Sequence, residues 1–142
     1  MTERVSKPAS DVLSVIVVDD EPDVAAYLAA VLERHGHTAV TASTASEGFD
    51  LAKQIRPDVV CVDIVMPEET GTALLRRIRA DRDIGRTTVV FITALKREMI
   101  SFAPTATGAP AAEPDAFIEK PPNADRFVDA VERAARKARV TS

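Results

Sequence analysis

The sequence predicts an α/β domain built on a parallel β-sheet, and two observations lead to this fold class. Five short segments that contain β-branched or aromatic residues alternate along the chain with segments whose apolar residues recur every three to four positions. Parallel strands need crossover connections, which helices normally supply, and right-handed crossovers place helices on both faces of the sheet. We therefore expect a doubly wound, five-stranded sheet.

The expected elements have recognisable ends. Pro22 suits the first turn of a helix and Gly36 suits a left-handed position just after one, whereas Pro57 closes the next helix. Thr44 or Ser46 can begin that second helix. The predicted strands cover residues 13–18, 38–42, 59–63, 87–93 and 115–119, and the predicted helices cover about 22–35, 44–56, 70–80 and 124–139.

Composition limits the possible functions. A chain of 142 residues fits one domain, which we place at residues 13–140 behind a polar, disordered arm of residues 1–12. The net charge of -4 argues against direct nucleic-acid binding. No apolar stretch reaches the ~20 residues of a membrane span and no signal peptide is recognisable, so we expect a cytoplasmic protein. The single Cys61 lies in an apolar strand and is expected to fill core space.

Polar side chains stand where four of the five predicted strands end. They are Asp19 and Asp20 after the first strand, Asp63 after the third, Thr93 at the end of the fourth and Lys120 after the fifth. Ligands of parallel sheets bind outside these carboxyl ends, so the residues should face one site. Three carboxylates at one edge repel each other unless a cation intervenes, and Mg²⁺ prefers oxygen ligands.

Each of these residues also has a simpler interpretation. Asp19 and Asp20 could cap the helix that begins at Pro22. Lys120 could be a surface lysine before a turn, and Thr93 could be an ordinary β-branched strand residue.

Four sequence motifs, taken together and in this order, carry a family resemblance. The chain resembles the receiver domain of two-component response regulators over about residues 13–139. The resemblance implies a flavodoxin-like strand order, 2-1-3-4-5. The motifs are V-V-D-D-E-P at residues 17–22, D-I-V-M-P-E-E-T-G at 63–71, F-I-T-A at 91–94 and F-I-E-K-P at 117–121.

The resemblance also implies a role for each site residue. Asp63 would be the phosphoacceptor, and Thr93 and Phe117 would be switch residues, although Phe117 can equally be a core residue. Mg²⁺ would be held by Asp19, Asp20, Asp63 and the backbone carbonyl of Val65. The phosphoryl group would be bound by Thr93, Lys120 and the backbone amides of Ile64 and Ala94.

The implied function is that of a single-domain response regulator. It would take its phosphoryl group from a histidine kinase or a histidine phosphotransfer protein, and would signal by contact with an unknown downstream protein, with a homodimer possible. It would not be an enzyme, beyond taking part in its own phosphorylation and dephosphorylation. Two other functions are considered: an interaction module of the same fold that is never phosphorylated, and a Mg²⁺-dependent aspartyl-phosphate phosphatase. The phosphatase would need an acid two residues after Asp63, where Val65 stands.

Residues 95–114 depart from the family pattern, in which a fourth helix follows the Thr93 position. Residues 95–102 hold only about two helical turns. Residues 103–114 contain Pro104, Pro110 and Pro114 together with Gly108, and so many prolines exclude a regular helix. We expect a short fourth helix or a proline-rich loop, with residues 96–114 mobile before phosphorylation because few apolar side chains anchor them.

An H-x-H sequence formed by His35 and His37 could suggest a metal site. The two residues flank the helix-ending Gly36 and have no further ligand types beside them. We interpret both as solvated loop residues.

Overall fold

The fold is the one predicted: a five-stranded, all-parallel sheet in the order β2-β1-β3-β4-β5. It is seen in a computed structural model, which describes residues 12–95, 112–120 and 122–141. The strands are β1 (Ser14–Val18), β2 (Thr38–Ala42), β3 (Val59–Val62), β4 (Thr88–Thr93) and β5 (Ala116–Glu119). The helices in the described part are α1 (Pro22–Arg34), α2 (Ala45–Ile55), α3 (Gly71–Ala80) and α4 (Ala124–Thr141).

Alternating strand residues feed two separate hydrophobic layers. On one face of the sheet, Val17, Cys61 and Val90 pack with apolar residues of α1 and α4. On the other face, neighbouring strand residues such as Val18 and Phe91 pack with α2 and α3. The central strands β3 and β4 are buried along their whole length because both faces are covered.

The helix ends agree with the sequence signals. Pro22 is the first residue of α1, and Gly36 just beyond it has φ 93°, the left-handed backbone predicted for that position. Thr44 is the N-cap of α2, where its hydroxyl accepts a hydrogen bond from the Glu47 amide at 3.0 Å. The left-handed residue that ends α2 is Arg56, at φ 53°, which directly precedes Pro57.

The chain reaches β5 through residues 96–111, which lie outside the described residues. The predicted short fourth helix, the proline-rich loop and the mobility of that region therefore stay predictions for those residues. The same holds for the N-terminal arm, of which residues 1–11 are outside the description. Residues 112–114, just before β5, form neither helix nor strand.

The interpretation of His37 as a solvated loop residue was wrong. Its side chain is buried; Nδ1 accepts a hydrogen bond from the Leu13 amide at 3.0 Å, and Nε2 lies 2.8 Å from Glu132 Oε2. The imidazole thus joins the start of the sheet to α4. His35 is exposed, as predicted, with Nδ1 2.9 Å from the Val31 carbonyl of its own helix.

Cys61 is buried in the sheet, as expected for a core residue, and burial raises the pKa of its thiol to about 12.

Within the described ranges, no helix combines the length and the apolar character that crossing a membrane requires.

Candidate functional site

The ends of β1 and β3 bring three carboxylates together. The strands lie side by side, and the ladder continues past them because the Asp63 amide donates to the Val18 carbonyl at 3.0 Å. One oxygen each from Asp19, Asp20 and Asp63 falls within 4.8 Å of the others. Asp19 is 2% exposed and Asp63 is 8% exposed, so their charges need compensation inside the fold.

Lys120 supplies that compensation from the end of β5. Its Nζ lies 2.8 Å from Asp19 Oδ2 and 3.0 Å from Asp63 Oδ2, with Glu21 Oε1 farther away at 3.8 Å. Partial burial lowers the pKa of the ammonium, but the hydrogen bonds to Asp19 and Asp63 outweigh burial and raise the pKa above its ordinary value of 10.5. Lys120 is therefore a permanent cation in this site.

Asp19 and Asp63 are held in the same way. In each, Oδ2 faces Lys120 whereas Oδ1 accepts a backbone N–H from two residues later in the chain. The donors are the amide of Glu21 to Asp19, at 2.9 Å, and the amide of Val65 to Asp63, at 3.2 Å. All four oxygens thus have defined partners, and the carboxylates are oriented before any ligand arrives.

Thr93 lies fully buried at the end of β4, next to Lys120. The Lys120 amide donates to the Thr93 carbonyl at 2.8 Å, which extends the β4–β5 ladder by one residue. The Thr93 hydroxyl accepts a hydrogen bond from the Leu95 amide at 3.3 Å. The hydrogen of the Thr93 hydroxyl is not used in that bond and can be donated in a hydrogen bond to another acceptor.

These residues surround an open crevice of about 370 Å³ at the carboxyl edge of the sheet. Asp63, Thr93 and Lys120 line it together with Val65, which is 59% exposed, and Ala94. The other lining residues are Asp20, Glu21 and Leu95. A small anionic group could therefore reach Asp63 from solvent.

Two further predicted residues, Ile64 and Phe117, are not among those that line the crevice. Ile64 is buried directly after Asp63, and its carbonyl accepts the Gly71 amide at 2.9 Å. Phe117 is half-buried and packs against the layer that contains α2 and α3, as its core interpretation expects. Its switch role stays a prediction. The N-cap of α1 is Glu21, so neither Asp19 nor Asp20 occupies that position.

Sequence reasoning missed two residues of the site, Gly71 and Glu21. A Cβ on Gly71 would lie 2.5 Å from the Asp63 carbonyl oxygen and 2.8 Å from Ile64 Cα, so only glycine fits there. A glycine directly after the N-cap Thr70 was a usable signal, but the contact with Asp63 depends on how the loop folds back. Glu21 follows the acidic pair in sequence and could have been included with it.

Comparison with known proteins agrees with this architecture. The model of the response regulator receiver domain family matches residues 15–132. This chain therefore belongs to the response regulator receiver domain family.

Two curated relatives illustrate the range of sizes in the family. The chain is 37% identical over 84 residues to protein PilH of Pseudomonas aeruginosa, a match that covers 59% of this chain and 69% of PilH. It is 34% identical over 116 residues to response regulator Rre1 of Synechocystis, covering 81% of this chain but only 48% of Rre1.

Solved structures share the fold. NtrX from Brucella abortus superposes with a TM-score of 0.75 at 30% identity, over 92% of this chain and 28% of NtrX. A CheY-like receiver domain protein from Methanospirillum hungatei gives a TM-score of 0.77 at 21% identity, over 92% of this chain and 99% of its own. The second likeness supports the fold alone.

Proposed function

We propose that Asp63 accepts a phosphoryl group in a Mg²⁺-dependent reaction and that the modified domain signals by protein contact. The donor is a histidine kinase or a histidine phosphotransfer protein. The observation that carries the proposal is the state of the Asp63 carboxylate: it lines an open crevice, the Val65 amide orients it, and Lys120 lies 3.0 Å away.

The donor set suits Mg²⁺. Asp19, Asp20 and Asp63 offer carboxylate oxygens within 4.8 Å of each other, and the Val65 carbonyl is a further candidate ligand. Magnesium prefers such oxygen ligands and retains waters that a phosphoryl oxygen can replace. When bound, it would neutralise negative charge on the transferred group.

The chain's own residues then account for the transfer. An Asp63 oxygen attacks phosphorus as the bond from phosphorus to the donor's histidine nitrogen breaks, giving an acyl phosphate and a free imidazole. Lys120 turns from Asp63 toward the incoming oxygens, and the Thr93 hydroxyl donates a hydrogen bond to one of them. The amides of Ile64 and Ala94 are further donors.

The same step explains how a signal would arise. Movement of the buried Thr93 toward the phosphoryl group leaves space that the half-buried Phe117 can enter. A charge placed in the crevice thereby changes the surface around β5.

The direct test is incubation with Mg²⁺ and acetyl phosphate, followed by intact mass measurement. The wild type should gain the mass of one phosphoryl group, and Asp63→Asn should gain none. Asp50→Asn, which removes an exposed carboxylate from α2, is the matched control and should be modified like the wild type. An unmodified wild type would favour the interaction module that is never phosphorylated, and modification of Asp63→Asn would exclude Asp63 as the acceptor.

A further inference from the structure

We propose that Arg79 and Asp115 fix the register of strand β5 and so position Lys120 at the opposite end of that strand. The proposal rests on the proposed function, because Lys120 matters through its action at Asp63. Arg79 is the penultimate residue of α3, and Asp115 directly precedes β5. Neither residue lines the crevice.

Asp115 makes a two-way connection to β4. Its amide donates to the Val89 carbonyl at 2.7 Å, and its side-chain Oδ2 accepts the Val89 amide at 2.8 Å. The same Oδ2 accepts a hydrogen bond from Arg79 Nη2 at 2.9 Å. One carboxylate oxygen, just before the start of β5, is thus hydrogen-bonded both to the neighbouring strand β4 and to α3.

Arg79 is itself held in place. Its Nη1 donates to the Thr87 carbonyl at 2.6 Å and to the Gly85 carbonyl at 3.2 Å, in the turn between α3 and β4. A guanidinium fixed by two carbonyls presents its remaining face in one direction only, which a lysine ammonium would not do. The Nη2 group of Arg79 is therefore held in one position, and this position defines where the Asp115 carboxylate can bind.

Strand β5 needs such a constraint because its own pattern specifies register weakly. It has four residues, lies at the sheet edge and pairs with β4. Ala116 and Ile118 face one hydrophobic layer and Phe117 faces the other, so apolar residues occupy both faces. A shift by one residue would still bury apolar side chains, and burial alone does not forbid it.

A shift would nevertheless remove Lys120 from the site. A one-residue slip moves the strand by about 3.3 Å and turns each side chain to the opposite face of the sheet. Lys120 stands five positions after Asp115, about 16 Å along an extended strand. The Arg79–Asp115 pair, here called the clamp, can therefore act on the Lys120 ammonium only through the register of β5.

The test compares Arg79→Ala and Asp115→Ala with Arg82→Ala, a matched control in which an exposed arginine of the same turn is removed. Phosphorylation by acetyl phosphate should slow by about tenfold or more in the two clamp variants and stay at the wild-type rate in Arg82→Ala. Asp115→Asn keeps an acceptor for the Val89 amide and should be less affected than Asp115→Ala.

Two further measurements separate register from general destabilisation. Hydrogen exchange of the residue 120 amide should accelerate in the clamp variants, whereas it should stay slow in Lys120→Met, whose backbone bond to Thr93 is unchanged. Mg²⁺ should bind more tightly in both the clamp variants and Lys120→Met, because a competing cation leaves Asp19 and Asp63.

The proposal would be overturned if Arg79→Ala were phosphorylated at the wild-type rate and its residue 120 amide still exchanged slowly. Weaker Mg²⁺ binding with fast exchange throughout the sheet would also overturn it, since that result indicates loss of fold. If even the wild type and Arg82→Ala are not phosphorylated, the proposed function fails, and the exchange and Mg²⁺ measurements still decide the register.

Discussion

Lys120 shows how much of a site a single side chain can determine. Without its ammonium, Asp19 Oδ2 and Asp63 Oδ2 would be two nearly buried anionic oxygens facing each other. Mutual repulsion and loss of solvation would then both oppose folding. The lysine is thus a structural counter-charge in this structure, in addition to its proposed role at the phosphoryl group.

We expect Lys120→Met to lower the free energy of unfolding by about 2 kcal/mol in Mg²⁺-free buffer, which is less than for a fully buried ion pair because solvent partly screens the Lys120 ammonium. Because the folded-state pKa of Lys120 is raised above 10.5, its contribution is fully present below pH 10.5 and disappears as the pH rises through the folded-state pKa. Chemical denaturation at pH 8 and at a series of values above 10.5 should show the difference from wild type shrinking.

Lys53→Met provides the comparison. Lys53 bridges Asp81 and Asp83 at the surface, where water and salt screen the charges, so its loss should cost clearly less stability than the loss of Lys120. Equal losses in the two variants at pH 8 would contradict the special position of Lys120.

At the scale of residues, the sequence could place the site but not its internal partners. Asp19, Asp63 and Lys120 were predictable because strand ends of a parallel sheet converge on one edge. The ion pairs among them were not predictable, because whether two carboxylates share one ammonium depends on the distances between the side chains, which the sequence does not give. Gly71 was missed for the same reason, because its contact with the Asp63 backbone exists only once the loop is closed.

At the scale of elements, boundaries were predictable wherever a local signal acts on the backbone. Pro22 and Gly36 marked the ends of α1, and β2 was placed correctly at Thr38–Ala42. His37 failed because its environment is made by elements far apart in sequence: Leu13 before β1 and Glu132 in α4. Helical periodicity contains no information about such a contact.

We expect His37→Ala to lower the free energy of unfolding by about 1–3 kcal/mol, because it leaves the buried Leu13 amide without its acceptor. Denaturant unfolding monitored by circular dichroism measures the change. His35→Ala is the control, since that ring is exposed and its Nδ1 lies 2.9 Å from the Val31 carbonyl of its own helix; it should change stability by less than about 0.5 kcal/mol. Similar losses in both variants would argue against a bridging role for His37.

For the whole molecule, fold class followed from the alternation of elements, and strand order followed from the family resemblance. Alternation alone leaves several strand orders open. The observed 2-1-3-4-5 order puts β1 beside β3, and this adjacency is what brings Asp19 within reach of Asp63.

The gathering of three acids predicts that Mg²⁺ stabilises the folded chain as a whole. Since the unfolded chain has no such cluster, Mg²⁺ at about a hundred times its dissociation constant should add roughly 2.7 kcal/mol to the free energy of unfolding. Thermal unfolding at increasing MgCl₂, with NaCl at matched ionic strength as control, measures this. The increase should shrink in Asp20→Asn, and an equal increase with NaCl would show general screening instead.

The burial of Cys61 makes this protein convenient to label. It is the only cysteine of the chain, and a thiol with a pKa of about 12 stays protonated and unreactive near neutral pH. A cysteine introduced at an exposed position should thus take up a maleimide probe alone while the fold is intact. Reaction at Cys61 itself would then report that the sheet has opened, so one reagent can follow both surface changes at β5 and unfolding of the core.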